Sequence, residues 1–170
     1  MAPARPPEVG PAPQAPAPPD EVVLEERPPS PADLRRLYDA VGWRGELPVD
    51  DGQLAAALGR SLYAVCAVAG GTVVGCARVL GDGAVHLYVE DVIVTPAWQG
   101  RGLGDRLMTA VMGWLDARCP GNALVVLSAA PGVDPFYERY GFARLPADEP
   151  GMALRWAGPG CWRRHRRRPG

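Results

Sequence analysis

Val89-Glu90-Asp91-Val92-Ile93-Val94-Thr95-Pro96-Ala97-Trp98-Gln99-Gly100-Arg101-Gly102-Leu103-Gly104 begins as a β-branched apolar run and ends in three glycines at alternate positions. Downstream, Leu103, Leu107, Met108, Val111 and Leu115 recur at helical spacing and mark one apolar face. A strand that feeds a glycine-rich turn into a helix builds a site for an anion. The first N–H groups of a helix have no carbonyl partner inside it, and the helix dipole puts partial positive charge at that end. Glycines at 100, 102 and 104 leave the backbone there uncovered by side chains. The stretch is expected to hold a phosphate-bearing ligand.

Two common phosphate motifs do not fit. The glycines fall as G-x-G-x-G, not as the dinucleotide G-x-G-x-x-G, and the nucleotide P-loop needs a lysine where this chain has none. The signature that fits is Q/R-x-x-G-x-G/A, which cradles the pyrophosphate of coenzyme A. A second motif follows in Phe136-Tyr137-Glu138-Arg139-Tyr140-Gly141-Phe142. Phe136 and Tyr140 stand one turn apart on a short helix, Gly141 ends it in a left-handed conformation, and Phe142 starts a further strand. Phe136 and Phe142 are expected in the core, leaving the Tyr137 hydroxyl to point elsewhere. With both motifs in this order, the chain resembles the GNAT superfamily of N-acetyltransferases. The likeness is to compact bacterial members and the plant-type serotonin/arylalkylamine N-acetyltransferases. They share the D-V-x-V-x-P-x-x-Q-G-x-G-L-G run from Asp91 to Gly104 and a Gly-Met pair, here Gly151-Met152.

The rest of the chain is compatible with one such domain. Of 170 residues, 1–20 are mostly Pro and Ala and are expected to be a disordered lead-in. Residues 158–170 carry Arg163, Arg164, Arg166, Arg167 and Arg168 and read as a solvated basic tail. Residues 21–157 are the expected acetyltransferase domain. They hold seventeen acidic residues against twelve arginines, a charge near −5 that disfavours nucleic acid as a partner. No apolar run approaches ~18 residues and no secretory leader is evident, so no membrane partner and a cytoplasmic location are expected. Cys66, Cys76, Cys119 and Cys161 lack metal-binding spacing, and no metal is expected.

Local patterns give the element order. Residues 21–26 read as a strand. Ser30 caps a helix with Pro31 first and Leu34, Leu37, Tyr38 and Val41 on one face. Asp50 or Asp51 caps a second helix through Leu54 and Leu58. A hairpin of 62–69 and 72–80 turns at Gly70-Gly71, and a long strand covers 84–94. After the helix from Leu103 come strands at 124–127, 142–145 and 152–156, with the Tyr137 helix between the first two. This order, βααβββαβαββ, is mixed α/β. The resemblance implies the GNAT fold, a central and mostly antiparallel sheet splayed at the cofactor site and flanked by helices.

The resemblance also implies the chemistry: an amine attacks the thioester of acetyl-CoA directly, without an acyl-enzyme. The backbone of Gly100, Arg101, Gly102, Leu103, Gly104 and Asp105 would hold the pyrophosphate, with Gln99 fixing the loop. Val92, Ile93 and Val94 would line the pantetheine arm with main-chain groups. Strict alternation puts His86, Tyr88, Glu90, Val92 and Val94 on one face and Leu87, Val89, Asp91 and Ile93 on the other. Glu90 falls where the family places its general base. Base assistance is needed, because only about one lysine-like amine in two thousand is neutral at pH 7. The competing reading is a structural salt bridge to an arginine such as Arg78, while Asp91 reads as a structural acceptor. Tyr137 aligns with the tyrosine that protonates the leaving thiolate. Trp43, in the loop after the first helix, either stacks on the acceptor or plugs the core edge; Tyr88 is its companion as a substrate-binding candidate. Ala129-Ala130-Pro131-Gly132 lacks an asparagine that some members use on the cofactor. The implied function is acetyl-CoA-dependent N-acetylation of a small-molecule primary amine, with a homodimer left open. The alternatives are a noncatalytic acyl-CoA-binding regulator and a protein or peptide N-acetyltransferase.

Overall fold

The computed structural model describes residues 21–43, 45–121 and 123–148. They belong to two compact units, one ending at Ser128 and the other starting at Ala129. The expected strand at 152–156, the Gly151-Met152 pair and both terminal segments lie outside the described residues.

The first unit runs β1 (Val22–Glu25), α1 (Pro31–Ala40), α2 (Asp51–Leu58), β2 (Tyr63–Ala69), β3 (Thr72–Gly81), β4 (His86–Val94), a 3₁₀ turn (Pro96–Trp98), α3 (Leu103–Arg118) and β5 (Leu124–Val126). Helix starts follow the capping residues. The Ser30 hydroxyl accepts the Asp33 N–H at 3.1 Å with Pro31 in first position. Asp50 rather than Asp51 caps α2: its carboxylate accepts the Gln53 N–H at 2.8 Å, and the Gln53 side chain accepts the Asp50 N–H at 3.3 Å. Strand β4 starts later than the sequence predicts. The Asp82 carboxylate accepts the N–H groups of Ala84 and Val85 at 2.8 Å and of His86 at 3.1 Å, which keeps Ala84 and Val85 in a turn and starts the strand at His86.

The sheet order is β1-β2-β3-β4-β5. The first three pairings are antiparallel and the last is parallel. Strand β5 pairs only with His86, Leu87 and Tyr88, so β4 continues past it along an open edge. This is the splay the family fold implies. Helices α1 and α2 bury Leu34, Leu37, Tyr38, Leu54 and Leu58 against Cys66, Cys76 and Ile93. Helix α3 packs across β2, β3 and β4 with Leu107, Met108 and Val111 fully buried.

One residue overturns the strict alternation expected of β4. The β3–β4 register pairs Cys76 with Ile93 but Arg78 with Glu90, so β4 carries one extra residue, and Asp91 sits there at a φ of +52°. Residues paired across an antiparallel ladder project to the same face. An inserted residue therefore reverses the faces beyond it. Glu90 shares the α1/α2 face with Ile93, and Asp91 joins them there, its carboxylate meeting Tyr38 of α1. Val94, paired with Gly75, lies on the α3 face. Asp91 is thus not on the face opposite Glu90.

The second unit holds α4 (Asp134–Glu138). Gly141 has the expected left-handed φ of +87°. The strand expected at 142–145 is not formed among the described residues. A strand needs a ladder partner, its expected partner lies outside the described residues, and Arg144 bonds instead to Asp134. The burial of the aromatic motif is also inverted: Tyr137 is buried, whereas Phe136 and Phe142 are half-buried with their rings edge-on to it.

Candidate active site

The loop between β4 and α3 is shaped by backbone geometry. Gly100 and Gly102 take φ of +72° and +74°, a region that disfavours any residue with a Cβ. A Cβ at either would meet nothing within 4 Å, so conformation requires glycine there and crowding does not. Gln99 donates its side-chain amide to the Val94 carbonyl at 2.8 Å, tying the loop back to the end of β4. The Arg101 guanidinium lies 5.4 Å from the centre of the Trp98 ring. Gly102 caps α3 with no side-chain bond, and Asp105 is in the first turn. The N–H groups of Leu103 and Gly104, in the first turn of α3, have no carbonyl one turn back within the helix to accept them, which leaves donors at the loop.

On the open part of β4 stands Glu90. It is half-buried, and neither a hydrogen bond nor an ion pair engages its carboxylate among the described residues. Burial, and then the negative charge of Asp91, push its carboxyl above the usual glutamate value, with Arg78 pulling the other way. The salt bridge considered for Glu90 is formed by Asp91. Its Oδ2 accepts from Arg78 Nε at 2.5 Å and its Oδ1 accepts from the Tyr38 hydroxyl at 2.5 Å. Arg78 Nη1 also donates to the Ser61 hydroxyl at 3.1 Å. Burial first, and then Asp91, raise the Tyr38 hydroxyl above its usual pKa and keep it a neutral donor. The Tyr38–Asp91–Arg78–Ser61 network was missed as a unit from sequence. Its signal was a lone arginine in the apolar run of β3 and a lone aspartate among the buried positions of β4.

Tyr88, the last β4 residue paired to β5, shares a 2.6 Å hydrogen bond with Ser128 just beyond β5. Trp43 meets Tyr38 edge-on, with ring centres 5.3 Å apart, and packs against the α1/α2 core. It also lines an open depression of about 170 Å³ with Arg35, Tyr38, Asp39, Gly45 and Leu47. Glu90, Tyr88 and Tyr38 lie on the same side of the sheet, that of α1 and α2. Tyr137 belongs to the second unit. No helix among the described residues is long and apolar enough to cross a membrane.

An open sheet with a left-handed glycine loop opening a helix defines a class of anion-binding α/β folds, and comparison with known proteins gives the family. Residues 60–144 match the GNAT acetyltransferase domain model. A serotonin N-acetyltransferase of rice, a chloroplastic protein, is 40% identical over 84 residues, covering 49% of this chain and 41% of that protein. An uncharacterised N-acetyltransferase of Pyropia yezoensis is 30% identical over 124 residues, covering 71% and 68%. The solved structure of a GNAT-family protein from Streptococcus pneumoniae superposes with a TM-score of 0.63 at 29% identity, covering 82% of this chain and 99% of that one. The chain belongs to the GNAT acetyltransferase family. It spans only about two fifths of the rice relative, 41% of its length.

Proposed function

We propose that this protein is an acetyl-CoA-dependent N-acetyltransferase that acts on a primary amine of a small molecule. The observation that carries the reading is Glu90, a half-buried carboxylate with a raised pKa and no hydrogen bond or ion pair among the described residues, on the open stretch of β4 in a chain of this family. Bound acetyl-CoA supplies an activated acyl thioester. The backbone of Gly100, Arg101, Gly102, Leu103, Gly104 and Asp105 holds the pyrophosphate with helix-terminal N–H groups. The main chain of Val92, Ile93 and Val94 bonds the pantetheine arm as a strand would. Glu90 takes the proton an ammonium must lose before its nitrogen can attack. Tyr137 donates to the departing thiolate. With ordinary values near 10 for tyrosine and 8.5 for a thiol, that transfer is only weakly driven, so placement of the hydroxyl matters as much as its acidity. Trp43 and Tyr88 form part of the acceptor wall, where an indole ring suits an aromatic or cationic amine.

The proposal takes residues 21–157 as the catalytic domain and the cytoplasm as its location. The test is release of coenzyme A from acetyl-CoA with arylalkylamines, polyamines, amino acids and aminoglycosides, run beside lysine-bearing and free-N-terminal peptides. Turnover with a free small amine is expected. Turnover with peptides alone assigns a protein acceptor instead. Tight acetyl-CoA binding without turnover on any acceptor makes the protein a noncatalytic regulator.

A further inference from the structure

The β3–β4 ladder sets Arg78 directly opposite Glu90. Residues so paired face the same way with Cβ atoms about 4.5–5.5 Å apart, close enough for a guanidinium and a carboxylate to join. They do not join. Arg78 turns to Asp91 at 2.5 Å and to Ser61 at 3.1 Å. Asp91 is within its reach because the inserted residue, with its φ of +52°, puts Asp91 on the face Glu90 occupies. Tyr38 then holds the second Asp91 oxygen at 2.5 Å. Arg78 and Asp91 are both buried. We propose that Asp91 is a positioning residue that withholds Arg78 from Glu90, leaving the Glu90 carboxylate free to take a proton.

The proposal rests on Glu90 as the base, and its chemistry follows from one comparison. An arginine in contact with a carboxylate lowers its pKa by about one to three pH units. A Glu90 paired with Arg78 would lose that much basicity and would have its oxygens occupied. Giving the guanidinium to Asp91 removes the contact and leaves a second negative charge beside Glu90. The charged and titratable groups bearing on Glu90 are Asp91 from its own strand, Arg78 from β3 and Tyr38 from α1. Burial of Glu90 adds to the effect of Asp91, Arg78 opposes both, and Tyr38 stays a neutral donor to Asp91.

The experiment is Asp91→Asn in the full chain, read two ways. Carbon-13 NMR follows the titration of the Glu90 carboxyl, assigned with Glu90→Gln, and a pH–rate profile follows turnover. Arg78 is expected to move to Glu90. The Glu90 midpoint then falls by about one to three pH units. Turnover at neutral pH drops about tenfold or more, with the acetyl-CoA KM within about twofold. Adding Arg78→Gln to Asp91→Asn returns the midpoint to within about half a pH unit of wild type and recovers most of the turnover. A purely structural Asp91 would instead lower turnover in Asp91→Asn through lost folding alone and leave the Glu90 midpoint unmoved. Breaking a buried pair by removing one partner is strongly destabilising, because the other charge is left uncompensated. If Asp91→Asn does not fold, the double variant, which removes both charges, is compared with wild type by the same two readouts. An unmoved Glu90 midpoint in Asp91→Asn, or a double variant whose Glu90 midpoint stays depressed, overturns the proposal. Glu90→Gln with wild-type turnover refutes the base assignment instead, and the titration still reports whether Asp91 withholds the arginine.

Discussion

Gly75 lies in β3 opposite Val94, at the back of the segment proposed to bind the pantetheine arm. A methyl group there would stand 2.7 Å from the Ile93 carbonyl oxygen, 3.3 Å from Leu107 Cδ1 and 3.5 Å from Val94 Cα. The first contact is short of ordinary packing by roughly half an ångström or more. It is also with main chain, which cannot swing aside as a side-chain tip does. Gly75→Ala should therefore displace β4 and destabilise the fold by about 1–3 kcal/mol, the usual range for overpacking. The smaller conformational freedom of alanine in the unfolded chain offsets about 0.4–1 kcal/mol of this. Gly113 supplies the control. It is an exposed α3 residue around which a Cβ meets nothing within 4 Å, so Gly113→Ala should stabilise by up to about 1 kcal/mol. Urea unfolding followed by circular dichroism gives both numbers, with the same denaturant slope expected for all three proteins. Calorimetry with acetyl-CoA supplies the functional half: affinity should fall in Gly75→Ala, where Ile93 and Val94 shift, and hold in Gly113→Ala. A Gly75→Ala protein as stable as wild type, with undiminished affinity, would refute the close approach of β3 and β4 and the role given to that segment.

Three further outcomes follow from the site. Gly102→Ala forces an L-residue to a φ of +74°, a strain of roughly 1–2 kcal/mol, and should weaken acetyl-CoA binding in calorimetry; unchanged affinity would remove the pyrophosphate assignment. Glu90 acts as a base only when ionised, and its raised pKa places the acid limb of the rate profile above the ordinary glutamate range. Glu90→Gln should therefore lose about 10²–10⁴ in turnover at neutral pH, with recovery as rising pH deprotonates the amine unaided. A profile parallel to wild type would demote Glu90. Tyr137→Phe should lower kcat with acetyl-CoA affinity unchanged and without rescue at high pH; a wild-type kcat would leave Tyr137 as a packing residue only.

Features written in short, local signals were legible in the sequence. The Ser30 cap with Pro31, the cap at Asp50 or Asp51 and the helix face of Leu107 and Val111 each depend on residues within a few positions of one another. So does the glycine loop, where the backbone requires Gly100 and Gly102. The inserted residue in β4 was not legible. Asp91 has no compositional mark of a bulge, and burial still alternates along the strand, because Leu87 and Val89 are covered from the α3 side while Asp91 and Ile93 are covered from the other. A perfect alternation of burial thus arises from two covered faces and a register break, not from one buried face. The competing reading that paired Glu90 with Arg78 failed for the same reason. The aromatic order around Tyr137 failed for another: four rings in seven residues compete for one buried position, and their spacing alone does not rank them.

The brevity of β5 has a consequence for solubility and stability together. Past Tyr88, no strand among the described residues neighbours the β5-side edge of β4. An uncovered edge is a template for strand addition by another chain. A ligand lying along residues 89–94 would occupy those backbone groups as an added strand and so act as a removable part of the sheet. Its binding energy would then enter the folding equilibrium directly, by about 2.7 kcal/mol at a hundredfold excess over its Kd. For such a protein, the shelf life of the empty chain and its affinity for its ligand are set by the same row of amides and carbonyls.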